Sequence, residues 1–327
     1  MKRRQFLKTS VLLSGALFSS DLLEKLEKKS SKNPESDWVV EILGSSQDGG
    51  VPHIGCDCLR CEFYRRKGSR MFPASLGLYN RKSKQFFLFD AAPDIREQLE
   101  QARSRHFLRK LNLPLKFSPD GIFLTHAHMG HYTGLMYYGF ESVNAKELPI
   151  FCSEKMTDFL RNNGPWSQLV KFENIVLNVV KPGKYIELSE GCKVISFSVP
   201  HRQEYTDTLC FKITGPQKSV LYIPDIDRWE QWDRSITEEV QKVDFAVLDG
   251  TFFANGELPG RDMSKIPHPT VMSTIKLLKN VINNGKTKVY FTHLNHSNPL
   301  VMPESKETFS LLNEGFFVAR EGMLFEL

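Results

Sequence analysis

The sequence predicts a layered α/β protein, and three observations carry that expectation. Short apolar runs of strand character alternate with amphipathic segments of helical period along both halves of the chain. The candidate ligand residues fall just after such runs. One stretch over 121–135, GIFLTHAHMGHYTGL, places three histidines on a turn between an apolar strand and a helix. Strands that deliver functional loops to one edge of a rigid layered scaffold produce this pattern.

Composition fits a packed globular unit. The 327 residues are 41% hydrophobic and 25% charged, ordinary values for a chain with a substantial core. The net charge of +5 belongs to the leader, where Lys2, Arg3, Arg4 and Lys8 stand without an acid. Without those four the chain carries 39 basic and 38 acidic residues, so charge gives no reason to expect nucleic-acid binding. The leader KRRQFLK, followed by an apolar segment over 9–18, is expected to be a secretory signal too short to span a bilayer. Its Arg3-Arg4 pair with Phe6, Leu7 and Lys8 resembles a twin-arginine signal, which implies export to the periplasm by the machinery that carries folded proteins. No A-x-A site marks a cleavage point, and an uncleaved leader would serve as a membrane anchor. SSKNPES at 30–36 has linker composition. Residues 1–36 are therefore expected to be signal and linker, and 37–327 the folded domain.

A first strand over 38–43 ends in the glycine-rich loop GSSQDGGVPHIG, which matches neither the Walker pattern nor G-x-G-x-x-G. Cys56, Cys58 and Cys61 follow as C-x-C-x-x-C, a metal-knuckle spacing one ligand short of a tetrahedral set. A disulfide with one free thiol is the competing reading in an oxidising compartment. Cys152, Cys192 and Cys210 stand alone in apolar runs, as small core residues do. A strand over 86–89 ends at Asp90, and a helix opening at Asp94 sets Ile95, Leu99 and Ala102 on one face.

The strand over 122–124 leads into His126, His128 and His131, with a helix expected over 132–138. Imidazole is the commonest metal-binding side chain, and a loop imposes no period that would keep three of them apart. A strand over 150–152 and a helix over 153–162 follow. Strands over 175–180 and 194–199 then lead to His201. A hairpin over 209–213 and 219–223 ends at Asp225, and a strand over 245–248 ends at Asp249-Gly250-Thr251. The helix over 270–283 carries Val271, Ile275, Leu278 and Ile282 on its apolar stripe. The strand over 288–291 runs into His293 and His296, and short strands over 316–318 and 323–325 close the chain. There is no internal repeat.

The spacing H-x-H-x-x-H, after an apolar strand and a threonine, resembles the signature loop of the metallo-β-lactamase superfamily, H-x-H-x-D-H. That resemblance implies a four-layer αββα sandwich with metals at the inter-sheet edge. Carried over residue by residue, it implies one metal on His126, His128 and His201, a second on His131 and His293, and Asp225 bridging them. One or two ions of zinc, manganese or iron are expected there.

The opening ILGSSQDGGVPHIGCDCLRC is similar to two branches of that superfamily. One is the cyclic phosphodiesterase of the carbon–phosphorus lyase pathway; the other is the coenzyme PQQ synthesis protein B-like group. In the first, a histidine three residues after the last catalytic ligand completes a structural zinc site, which implies Cys56, Cys58, Cys61 and His296 as a Cys₃His zinc set. DAAPDIREQL, VLDGTFF, GRDMSKIPHP and HLNHSNP bring the chain nearer the second. The resemblance implies a hydrolase that uses metal-activated water on an ester of a small-molecule substrate, foremost a phosphodiester. An iron-dependent oxidation in PQQ biosynthesis, or a non-catalytic carrier of PQQ or its precursor, are the alternatives. Gly130 departs from the pattern, standing where it has aspartate. Loss of a charged donor predicts a well-occupied first metal position and a weak second one, unless Asp48 supplies the carboxylate or glycine only serves a tight turn. Substrate and oligomeric state are open.

Overall fold

A strand whose alternate side chains are all apolar needs cover on both faces. The chain meets that demand with two seven-stranded mixed sheets packed face to face and helices outside each, a four-layer αββα sandwich. The structure, a computed structural model, describes residues 36–327 except Leu115 and Lys286. Residues 1–35 of the expected signal and linker, with Arg3 and Arg4, lie outside the described residues, whereas Ser36 is buried and its hydroxyl donates to Leu327 O. Among the described residues no helix is long and apolar enough to cross a membrane.

The first sheet takes β1 (Trp38–Gly44), β2 (Ser75–Asn80), β3 (Phe86–Phe89), β4 (Gly121–Phe123), β5 (Leu148–Cys152) and β6 (Ile175–Val179) in spatial succession. The second takes β7 (Tyr185–Glu187), β8 (Lys193–Val199), β9 (Thr208–Thr214), β10 (Ser219–Ile223), β11 (Phe245–Asp249), β12 (Lys288–Thr292) and β13 (Phe317–Val318). The last strand, β14 (Leu324–Glu326), returns to pair antiparallel with β1. The helices are α1 (Leu59–Arg66), α2 (Ile95–Leu108), α3 (Met129–Tyr132), α4 (Glu154–Asn162), α5 (Trp166–Lys171), α6 (Ile236–Gln241), α7 (Val271–Asn284) and α8 (Lys306–Asn313).

Period-two alternation sorts the core into three layers. Val40, Ile42, Leu78, Phe87, Phe89 and Phe123 point between the sheets toward Leu209, Phe211, Ile213 and Tyr222. Their neighbours Val39, Tyr79, Phe86, Leu88 and Ile122 turn outward against Ile95, Leu99 and Ala102 of α2. Leu221, Ile223, Leu248 and Phe291 pack against Val240 of α6 and Val271 and Leu278 of α7. Phe123 sits 4.8 Å from Phe89 and 5.7 Å from Phe211 by ring centroid. Removing such a ring from a core costs about 3–5 kcal/mol, so this packing holds the ends of β3 and β4 in place. Phe89 pairs with Phe123, while Leu248 pairs with both Ile223 and Phe291, so the residues that follow these strands emerge at one edge.

One expected element takes another form, and β2 is a strand the sequence did not announce. The helix over 132–138 is α3 followed by a 3-10 segment, Thr133–Tyr138. The Gly134 amide donates to Ala91 O at 2.9 Å, outside the helix, and a Cβ there would meet Ala92 O at 2.1 Å. The backbone is diverted to dock on the β3–α2 loop. Strand β2 lacks apolar alternation because Ser75, Gly77 and Asn80 interrupt it, yet all its residues are buried between β1 and β3.

Candidate metal centre

The two sheets bring the histidines of 126–131, 201 and 293 to one edge. His128 Nδ1 lies 2.9 Å from His126 Nε2 and 3.2 Å from His201 Nε2. Beside them, Asp225 Oδ2 lies 3.0 Å from His131 Nε2 and 3.3 Å from His293 Nε2, and Asp225 Oδ1 lies 3.6 Å from His201 Nε2. Asp225 therefore stands between two groups of nitrogens, each with atoms close enough to share one ion. Ligands at about 2.0–2.2 Å from a tetrahedral ion are about 3.3–3.6 Å from one another, close to the spacing of these atoms.

The outer hydrogen bonds leave lone pairs to face that space when the rings are neutral, as they would be around a bound cation. Thr125 Oγ1 donates to Asp90 Oδ1 at 2.9 Å, so its oxygen accepts from His126 Nδ1 at 2.9 Å. His131 Nδ1 donates to Asp90 Oδ2 at 2.7 Å. His201 Nδ1 donates to Asp227 Oδ1 at 2.8 Å. Thr251 Oγ1 donates to Asp249 Oδ1 at 2.8 Å and accepts from His293 Nδ1 at 2.9 Å. Each contact fixes the tautomer that leaves Nε2 unprotonated, the usual role of a second layer around a metal. His128 is reversed: Nε2 faces Glu204 Oε2 at 3.2 Å, which leaves Nδ1 for the centre.

The fit to a cation shows in what lacks a partner. Asp48 Oδ1, His131 Nε2, Asp225 Oδ2 and His293 Nε2 are buried without a hydrogen bond. Orphaned buried polar atoms are costly singly, and four converging ones are a donor set. Burial resists charge on Asp225, yet electrostatic attraction from His293 and His131 holds its carboxyl well below the usual range. Against burial, the carboxylates of Asp90 and Asp225 in turn push His131 well above the histidine range, so positive charge is favoured where a cation would sit. Burial, with His131 beside it, pushes His126 well below the usual histidine range.

At the second cluster Cys56, Cys58 and Cys61 Sγ lie 3.4, 3.9 and 3.8 Å from His296 Nδ1. Zinc bonds of about 2.3 Å to sulfur and 2.0–2.1 Å to nitrogen put such atoms about 3.6 Å apart. The three thiols are free rather than paired, as are the buried Cys152, Cys192 and Cys210.

Asp90, Asp249, Asp227, Glu204 and His268 all contribute and escaped sequence reading. His268 donates Nδ1 to Asp249 Oδ2 at 2.7 Å and lines a cavity of about 430 Å³ with Gln47, Arg202, Phe252, Arg261 and Asn295. It lies in the GRDMSKIPHP segment without a strand before it, so position offered no signal. Asp90 and Asp249 each end an apolar strand, and that position was a readable sign.

Two face-to-face sheets with a histidine–aspartate centre on their shared edge define a metal-binding α/β sandwich of the metal-dependent hydrolase type. The chain belongs to the metallo-β-lactamase superfamily: residues 85–294 match the Beta-lactamase superfamily domain. It is 26% identical to coenzyme PQQ synthesis protein B of Nitrosococcus oceani, over 87% of this chain and 98% of that one. It is 24% identical to the protein of the same name in Methylococcus capsulatus, with 87% and 98% covered. Among solved structures, Zn²⁺-bound PqqB from Methylobacterium extorquens shares the fold at TM-score 0.71 and 19% identity, covering 88% of this chain and 100% of that one. A diphosphatase of the PhnP family does so at TM-score 0.62 and 23% identity, covering 89% and 97%.

Proposed function

We propose that this chain is a metal-dependent hydrolase that opens an ester of a small anionic substrate, most directly a phosphodiester. The observation that carries the reading is the set of four orphaned donor atoms between the sheets, beside a cavity lined by cationic side chains. His126, His128 and His201 would hold one ion, His131 and His293 a second, with Asp225 between them; zinc, manganese and iron(II) all suit imidazole and carboxylate donors. The Cys₃His set would hold a structural zinc. Bound divalent ions lower the pKa of coordinated water toward about 7 and polarise a phosphoryl oxygen.

The chain's own groups do the rest. Arg202 and Arg261 offer guanidinium donors to an anionic group in the cavity. His268 has Nδ1 committed to Asp249, so Nε2 is left to carry a proton to a leaving oxygen. Burial works against a charged His268, but the Asp249 carboxylate outweighs it and raises its pKa.

Release of p-nitrophenolate from bis(p-nitrophenyl) phosphate by zinc- or manganese-loaded protein tests the reading. Turnover is expected, falling by at least about 10²-fold in Asp225→Ala. Fully loaded protein inert toward phosphodiesters and carboxylic esters alike would refute it. Similarity to coenzyme PQQ synthesis protein B supports a second reading, oxidation of a quinone-cofactor precursor on iron, which dioxygen uptake would reveal.

A further inference from the structure

We infer that Asp48 is the second-position carboxylate of the histidine centre, and that residue 130 is glycine because Asp48 occupies the space a side chain there would take. The inference rests on the metal-centre reading above and deepens it. Asp48 Oδ1 lies 3.4 Å from His131 Nε2 and 3.5 Å from His293 Nε2, and all three atoms lack hydrogen-bond partners. With Asp225 Oδ2 at 3.0 and 3.3 Å from the same nitrogens, four atoms enclose one position. Two neutral imidazoles and a shared carboxylate would hold a dication poorly; a second carboxylate restores the missing negative charge.

Gly130 supplies independent support. A Cβ built on it would stand 2.2 Å from Asp48 Oδ1, 2.8 Å from Asp48 Cγ and 2.9 Å from Asp48 Cα. Its φ is not in the left-handed region, so the turn itself does not require glycine. A carboxylate at 130 and one at 48 exclude each other, and the chain carries the one on the loop after β1. Of the two expectations for the second position, this arrangement favours the one in which Asp48 supplies the carboxylate. An aspartate at 130 would collide with Asp48 rather than add a donor beside it.

The experiment is zinc content per chain after dialysis of full-length protein, with His131→Ala as the reference for loss of the second position. Asp48→Ala and Asp48→Asn should each hold one zinc fewer than wild type, like His131→Ala. Gly130→Ala should lose the same ion although it removes no donor. The exchanged pair Asp48→Gly with Gly130→Asp should regain it, the flanking Gly49-Gly50 letting the loop yield a few tenths of an ångström. Wild-type zinc content in Asp48→Ala, or no recovery in the exchanged pair, would overturn the inference while His131→Ala still loses an ion. If His131→Ala also keeps its full zinc content, the metal-centre reading fails with it.

Discussion

Asp90 and Asp249 do the same work in opposite halves of the molecule. Each follows a buried strand, accepts the backbone amide and hydroxyl of a threonine (Thr125 and Thr251), and takes the Nδ1 proton of a histidine at 2.7 Å. In each half the threonine oxygen then accepts from a second histidine at 2.9 Å, His126 in one and His293 in the other. His268 is therefore the counterpart of His131. The difference lies in where the remaining nitrogen goes. That of His131 is buried among Asp48, Asp225 and His293, whereas His268 lines the cavity. On the proposed function, one orienting device would serve a metal ligand where the ring faces carboxylates and a proton donor where it lines the cavity. Backbone geometry is unusual in both halves: Asp90 sits at φ 65°, and His268 and His293 at 82° and 57°, values that the surrounding packing must hold.

The strongest way to break this comparison is His268→Gln. A proton donor removed should lower kcat on the phosphodiester by about 10²–10⁴-fold with zinc content unchanged. Loss of an ion instead would make His268 a ligand and the two halves alike. Next in size, Asp90→Asn should weaken zinc binding by about 10–100-fold in chelator competition, because both ligand histidines it orients are affected. Asp249→Asn should weaken binding less and kcat more, since its direct partner is His268; equal effects on binding would erase the distinction. Smallest, Thr125→Val and Thr251→Val each remove one hydroxyl link worth about 1 kcal/mol, or about fivefold in zinc affinity. Matching losses in the two variants would sharpen the equivalence of the halves.

Much of this was legible in the sequence because strands that end in ligands are short, apolar and abrupt. The turn after β4 announced itself by crowding, and His201, Asp225 and His293 by following such strands. The orienting layer was harder to see. Asp90 and Asp249 resemble ordinary strand-end carboxylates until folding places Thr125 and His131, or Thr251 and His268, against them. The doubled device leaves no sequence repeat, since its parts are spaced differently in each half. Gly130 read as a lost donor because the residue filling its space, Asp48, arrives from another strand's loop. Strand β2 was missed for a related reason: burial on both faces, not alternation, makes it a strand.

Cys56 meets His296 across a sequence separation of 240 residues, and the same two loops are laced by Gln47 N–H to Leu294 O and Leu294 N–H to Ser45 O, both at 2.9 Å. Contacts so distant along the chain carry a loop-closure cost, because a long segment must be ordered before any of them contributes. The Cys₃His set, and the position enclosed by Asp48, His131, Asp225 and His293, thus exist only once the first and second sheets have docked. An ion bound there stabilises the docked state over half-assembled ones, by an amount that grows with free metal concentration and shrinks to the extent that the unfolded thiols bind it too. Native yield on refolding is then expected to rise with the metal supplied, apart from any part it plays in turnover.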